Sequence, residues 1–162
     1  MTLPVTIHID RLPIDKFNIV HLLNEFQNAE HLLTDVTNHG NAVLVQRKFH
    51  LVQTGVESEE LNNLPYTQEV IRTIMSIHKF DSANYRMVMP NTCYNWHVDK
   101  GKVCVHVPII TNPGCKFIYE HKAFSMPADG SAYVVNNGIA HTFMNAGPEP
   151  RLHLTFENLD WS

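Results

Sequence analysis

Two short stretches and one arginine carry the residue types from which chemistry can be built: His97-Val98-Asp99, then His141, then Arg151 ten residues beyond it. In an extended segment residues i and i+2 project to the same side, so His97 and Asp99 can both present to one metal ion. An imidazole and a carboxylate suit a mid-series divalent ion. A second imidazole, His141, arriving from a distant strand completes one triangular face of an octahedron. That is the two-histidine, one-carboxylate pattern of non-haem iron(II), with positions left for co-substrate and oxygen. A guanidinium such as that of Arg151 pairs bidentately with a carboxylate, which fits the distal carboxylate of 2-oxoglutarate. With 11 His in the chain, His-x-Asp alone is a weak signal. The surrounding strands give it weight.

From Ser82 onward the chain reads as short strands punctuated by turn residues: Tyr85 to Met89, Val103 to Ile109, Cys115 to Glu120, Ala123 to Met126, Ala132 to Val135, His141 to Asn145 and Leu152 to Glu157. Many short strands at regular spacing imply a sandwich or barrel. On the last strand Arg151, His153 and Thr155 share one face and Leu152, Leu154 and Phe156 the other. One face is thus polar, as the inside of a barrel holding a polar ligand would be. The second strand divides in the same way, with Val103, Val105, Val107 and Ile109 opposite Lys102, Cys104 and His106. His106 is therefore expected to face the same interior.

The N-terminal half supports this barrel. Val5, Ile7 and Ile9 alternate with polar residues, the period of a half-buried strand. Ile14, Phe17, Val20, Leu23 and Phe26 recur at helical spacing, with Pro13 at or just before the first turn. Asn38-His39-Gly40-Asn41 reads as a turn, Ala42 to Gln53 as extended chain, and Glu57 to Asn63 as a polar loop. Val70, Ile71, Ile74, Met75 and Ile77 form a second helical stripe, with Thr67 as its expected N-cap and Glu69 in its first turn. One domain over residues 1–162 is expected, with 1–80 as mixed support and 81–158 as the barrel core bearing the metal site.

Composition narrows the class. The chain is 44% apolar and 17% charged, ordinary for a folded globular protein. A net charge of −4 with no basic run argues against nucleic acid as a partner. Nothing approaches membrane-spanning length, and the N-terminus lacks the features of a signal peptide. Cys93, Cys104 and Cys115, odd in number and without a Cys-x-x-Cys pair, read as reduced thiols. A cytoplasmic location is the matching expectation.

Beyond spacing, Tyr85-Arg-Met-Val-Met-Pro-Asn-Thr-Cys-Tyr-Asn-Trp-His97, Val105-His106-Val107-Pro108, Gly114-Cys115-Lys116, Val135-Asn-Asn-Gly-Ile-Ala-His141-Thr-Phe-Met-Asn145 and Arg151 together resemble the aspartyl/asparaginyl β-hydroxylase family. The resemblance covers about Tyr85 to Glu157. It implies a mainly β chain with flanking helices, a double-stranded β-helix or cupin-like jelly roll, using Fe(II), 2-oxoglutarate and O2. It implies His97 and His141 as iron ligands, Asp99 as the acidic ligand that some aspartyl hydroxylases of the family lack, Arg151 on the distal carboxylate, and His106 near the co-substrate. Animal members carry Arg where this chain has Cys104, and Ser where it has Arg86. Arg86 or Lys102 is expected to supply the missing positive charge.

These residues also have plainer readings. Arg151 can be a salt-bridged strand residue, His106 a core histidine, His153 a packing neighbour of Arg151, and Tyr94 and Trp96 either pocket or core. The expected reaction is hydroxylation of an amino acid or an Asp/Asn-type side chain, releasing succinate and CO2. The substrate is a small molecule or peptide, with the small size of the chain favouring the former. Two alternatives remain: a cupin-type metalloenzyme that does not use 2-oxoglutarate, and a non-catalytic barrel that binds a small acid.

Overall fold

The computed structural model describes residues 3–4, 6–36 and 46–158. Among the described residues, twelve strands and two α-helices follow in chain order. The strands are β1 (Ile9–Arg11), β2 (Thr34–Val36), β3 (Gln46–Gln53), β4 (Val56–Glu57), β5 (Ser82–Val88), β6 (Thr92–Cys93), β7 (Val103–Ile110), β8 (Cys115–Tyr119), β9 (Lys122–Phe124), β10 (Tyr133–Asn136), β11 (His141–Asn145) and β12 (Arg151–Glu157). Helix α1 is Ile19–Ala29 and α2 is Pro65–Ile77. The larger sheet runs β1-β10-β7-β12-β5-β3-β2, with β4 on β3, and the smaller runs β6-β11-β8-β9. Every named pairing is antiparallel. The two sheets make the jelly roll expected of a double-stranded β-helix.

Alternation along the strands of the larger sheet builds two different layers. Leu152, Leu154 and Phe156 of β12, Val105 and Val107 of β7, and Ala83, Tyr85 and Met87 of β5 pack with Leu22 and Phe26 of α1 and Val70, Ile71 and Ile74 of α2. Truncating one of these, such as Phe156 with 0% exposure, should cost about 3–5 kcal/mol. On the opposite face of the same sheet, Val88 and Val135 meet Phe117, Tyr119 and Phe143 of the smaller sheet. Other inward positions, among them Arg86, Cys104, His106, Arg151, His153, Thr155 and Glu157, carry polar groups or a thiol. The sheet thus carries a helix-backed apolar face and a polar barrel wall.

The helices depart from the sequence expectations in instructive ways. Helix α1 begins at Ile19, capped by the Asn18 side chain, which accepts from the His21 N–H at 3.0 Å. Ile14 and Phe17 precede it, because the backbone there is committed elsewhere: Leu12 N donates to Ala132 O and Phe17 N to Gly130 O, both at 2.8 Å. The buried stripe is Leu22, Glu25, Phe26 and Ala29, while Val20 faces solvent. Nor is Thr67 an N-cap. Helix α2 starts with Pro65, as suits a residue with no N–H to satisfy, and Thr67 lies inside it. The Glu25 carboxylate does the capping from α1, accepting from Tyr66 N at 2.9 Å and Thr67 N at 2.7 Å, and from the Thr67 hydroxyl at 2.8 Å.

Two more expectations are corrected. The segment read as a polar loop contains the end of β4 and a 3-10 turn over Glu59–Asn63, anchored by fully buried Leu61. The first strand is only Ile9–Arg11, with Ile7 exposed. The reading of Val5 and of the turn at Asn38-Gly40, with the start of the Ala42 stretch, falls outside the described residues. All three cysteines are unpaired thiols; Cys93 is exposed, and Cys104 and Cys115 are buried. Among the described residues, no helix is long and apolar enough to cross a membrane.

Candidate active site

His97 lies between β6 and β7, outside the named strands, yet it is held like a strand residue. It forms an antiparallel bridge with His141, the first residue of β11. Two residues on, Asp99 N donates to Asn137 O at 2.9 Å, and Asp99 O accepts from Lys102 N at 2.9 Å. Gly101, at φ 75°, closes that turn. Extended chain before a tight return therefore aims His97 and Asp99 at the same place, as the i, i+2 spacing requires.

The three candidate ligand atoms converge. Oδ2 of Asp99 stands 3.7 Å from Nε2 of His97 and 3.7 Å from Nε2 of His141, and the three residues offer atoms all within 4.8 Å of one another. Each ring spends its other nitrogen on a carbonyl: His97 Nδ1 meets Asn95 O and His141 Nδ1 meets Ile139 O, both at 2.7 Å. A carbonyl only accepts, so in each ring Nδ1 carries a proton and Nε2 is the nitrogen left to bind a metal. Burial, countered by the Ile139 carbonyl and reinforced by the neighbouring His97, pulls the His141 imidazole below its usual pKa. Asn137 supports the carboxylate, its Nδ2 donating to Asp99 Oδ2 at 3.4 Å. Two imidazoles and one carboxylate, pre-oriented and open to a cavity, fit a divalent iron site.

That cavity is walled by both sheets. Arg86, Cys104, His106, Arg151, Thr155 and Glu157 line it from the larger sheet, Phe117 and Phe143 from the smaller, with Tyr94 and Asn137 completing the rim beside the three metal-binding candidates. Arg151 is 2% exposed, lies over the Phe143 ring at 4.4 Å, and makes one long contact to Arg86 O at 3.5 Å. Among the described residues no carboxylate pairs with it, and Nε has no partner. Burial lowers its pKa to about 10. It is therefore not the salt-bridged strand residue that the plain reading allowed.

Arg86 also reaches the cavity but in a different state. Its Nη2 donates to Glu157 Oε1 at 2.8 Å, and Lys48 Nζ lies 3.6 Å from the same oxygen. Burial works against the Glu157 anion, but Arg86, Lys48 and Lys102 outweigh it and hold the carboxyl below its usual value. The Lys102 side chain itself turns to Asn158 O and is absent from the cavity wall. Tyr94 meets Gln46 Oε1 at 2.8 Å, whereas Trp96 is exposed. His106 is in the interior, as the strand alternation predicted. Its Nδ1 meets His153 Nδ1 at 2.9 Å. The contributions of Lys48, Glu157, Asn137 and the His153 partnership were not anticipated from sequence. Only the alternation that put Glu157 on the face of Arg151 could have flagged any of them.

A jelly roll that directs two imidazoles and a carboxylate into a cavity walled by buried arginine has the architecture of the non-haem iron oxygenases. The family model for Aspartyl/Asparaginyl beta-hydroxylase matches residues 18–159. The chain belongs to that family and is a 2-oxoglutarate-dependent iron(II) oxygenase. The match extends well upstream of Tyr85, taking in both helices. No curated protein sequence matches the chain.

Solved structures share the fold at low identity. A prolyl hydroxylase from Trichoplax adhaerens, in complex with a hypoxia inducible factor peptide fragment, superposes with a TM-score of 0.63 at 11% identity, covering 93% of this chain and 82% of that one. A 2OG-Fe(II) oxygenase family oxidoreductase from Burkholderia pseudomallei gives 0.60 at 14%, covering 93% and 85%. HygX from Streptomyces hygroscopicus, with nickel and 2-oxoglutarate bound, gives 0.59 at 9%, covering 93% and 82%.

Proposed function

We propose that this oxygenase hydroxylates an amino acid, free or as an Asp/Asn-type side chain of a peptide, while 2-oxoglutarate is converted to succinate and CO2. His97, Asp99 and His141 would hold iron(II), and Arg151 the distal carboxylate of 2-oxoglutarate, with His106 and Arg86 as further contacts. The observation that carries this reading is the buried, carboxylate-free guanidinium of Arg151 in the cavity that the triad opens onto. Burying an unpaired charge costs several kcal/mol. A ligand that brings a carboxylate recovers that cost.

The bound metal would supply the oxygen activation that couples decarboxylation of the keto acid to C–H hydroxylation. The chain's own residues do the rest. Nδ1 contacts to Asn95 O and Ile139 O fix the His97 and His141 rings, so each Nε2 is a ligand without rearrangement. Asn137 fixes Asp99. Phe117 and Phe143 give the cavity an apolar wall that limits water around the reacting groups. Glu157 holds Arg86 in place, leaving its remaining donors for an acidic group. The test is turnover: free amino acids and Asp- or Asn-containing peptides are screened for stimulation of succinate formation by the iron-loaded protein. One compound that gains an oxygen atom in step with succinate supports the proposal, and stimulation only by compounds lacking an amino-acid unit overturns it.

A further inference from the structure

His106 and His153 come from neighbouring strands, β7 and β12, and meet through their Nδ1 atoms at 2.9 Å with the rings nearly perpendicular, at 87°. Both are buried, at 7% and 1% exposure. His106 lines the cavity, and His153 lies behind it, absent from the cavity wall. Burial first, and then the guanidiniums of Arg151 and Arg86, push both imidazoles well below the usual histidine pKa. Burial and the two guanidiniums thus both favour the neutral form of each ring.

Two neutral imidazoles can share an Nδ1–Nδ1 hydrogen bond in only two ways, because a neutral ring carries one proton. Either His106 donates from Nδ1 and keeps a bare Nε2, or it accepts at Nδ1 and carries its proton on Nε2. The first arrangement would offer a lone pair to whatever reaches His106 from the cavity. The second would offer a donor. A cavity walled by Arg86 and Arg151 takes an anion, and an anion repels the lone pair and accepts from the N–H.

We propose that His153 is a positioning residue that donates from its Nδ1 to His106 Nδ1 and so holds His106 as a neutral Nε2–H donor to the co-substrate carboxylate. This rests on the reading of the cavity as a 2-oxoglutarate site. The role differs from that of Arg151. The arginine supplies charge, whereas the histidine pair supplies a donor of fixed direction. His153 never touches the ligand.

The test uses histidine-labelled, Zn(II)-substituted protein with 2-oxoglutarate bound, so that ring tautomers can be read by 1H–15N correlation. The expected result is an Nε2–H tautomer for His106 and an Nδ1–H tautomer for His153. The reverse assignment overturns the inference without any variant. In parallel, anaerobic binding of 2-oxoglutarate to the iron(II) protein is measured for His153→Leu and His153→Asn. His153→Leu removes the donor and should weaken 2-oxoglutarate roughly tenfold, with iron(II) affinity unchanged. His153→Asn can still donate an amide N–H to His106 Nδ1 and should recover most of the loss. Equal affinity in wild type and His153→Leu overturns the role of His153 while the 2-oxoglutarate site stands. Failure of wild type to bind 2-oxoglutarate overturns both.

Discussion

His97 and His141 are tied backbone to backbone. Each donates its N–H to the other's carbonyl, at 3.1 and 3.0 Å, and their rings lie 4.3 Å apart between centroids. A histidine in a connecting segment is thereby tied to the first residue of β11. Geometry of this kind lets Asp99 close the proposed ligand set. Asp99→Ala should lower iron(II) affinity by roughly a hundredfold or more, since even partners that only orient a ligand are worth about 10–100-fold. Asn137→Ala, which removes the donor to Asp99 Oδ2, should cost about tenfold. Titration of the apo-protein with iron(II) under anaerobic conditions measures both. Undiminished affinity in Asp99→Ala would exclude the carboxylate as a ligand.

The Arg151 guanidinium is buried with no carboxylate partner among the described residues, an arrangement that costs stability until a ligand supplies one. Replacing it with Met should leave the ligand-free protein as stable as wild type or more so, since apolar replacements of buried charge are often neutral or stabilising by about 1–4 kcal/mol. The same variant should bind 2-oxoglutarate at least tenfold more weakly while retaining iron(II). Urea unfolding and ligand titration measure the two effects. A large loss of stability in Arg151→Met would mean that the residue is structural.

Glu157 gives the protein a pH dependence on the acid side. Its carboxyl sits below the usual value, because Arg86, Lys48 and Lys102 outweigh desolvation. A depressed acid contributes stability above its unfolded pKa, about 4.3, and loses it as pH falls through the folded value. The stability difference between wild type and Glu157→Gln should thus be greatest near neutrality and shrink below about pH 4. Partial burial of the Arg86–Glu157 pair, with side chains 22% and 16% exposed, places the difference between the ~0–1 kcal/mol of exposed pairs and the ~3–5 kcal/mol of buried ones. Unfolding at a series of pH values reads it directly.

Glu25 joins the two helices. Its carboxylate accepts from Tyr66 N, Thr67 N and the Thr67 hydroxyl, and the hydroxyl lies 3.0 Å from the Tyr85 hydroxyl. Glu25→Ala leaves two first-turn N–H groups of α2 without a partner and should destabilise the fold by about 2–4 kcal/mol. Thr67→Val, which keeps the backbone caps, should cost less. Chemical denaturation of both variants decides the order, and equal costs would mean that the hydroxyl outweighs the caps.

Much of the site was readable because strands alternate. The polar face of Arg151, His153 and Thr155 and the inward turn of His106 follow from period two alone. The i, i+2 spacing of His97 and Asp99 likewise implied one shared direction. Other features depend on which strands become neighbours. Lys48 reaches Glu157 only because β3 pairs with β5 so that Lys48 lies opposite Arg86, and β12 sets His153 opposite Arg86 on its other side. The start of α1 was missed because Leu12 and Phe17 bond to the backbone near β10, which overrides an apolar period continuing through Ile14 and Phe17. Glu25 caps a helix that starts forty residues away in the chain. No local pattern marks it.

The most direct test is spectroscopic. 2-Oxoglutarate is added to the iron(II) protein in the absence of oxygen, and the visible charge-transfer band of the chelate is followed in wild type, His97→Ala and Arg151→Met. The account predicts a band in wild type, none in His97→Ala, and one in Arg151→Met that needs far more 2-oxoglutarate to develop. A wild-type protein that binds iron(II) but shows no band at any 2-oxoglutarate concentration would contradict it.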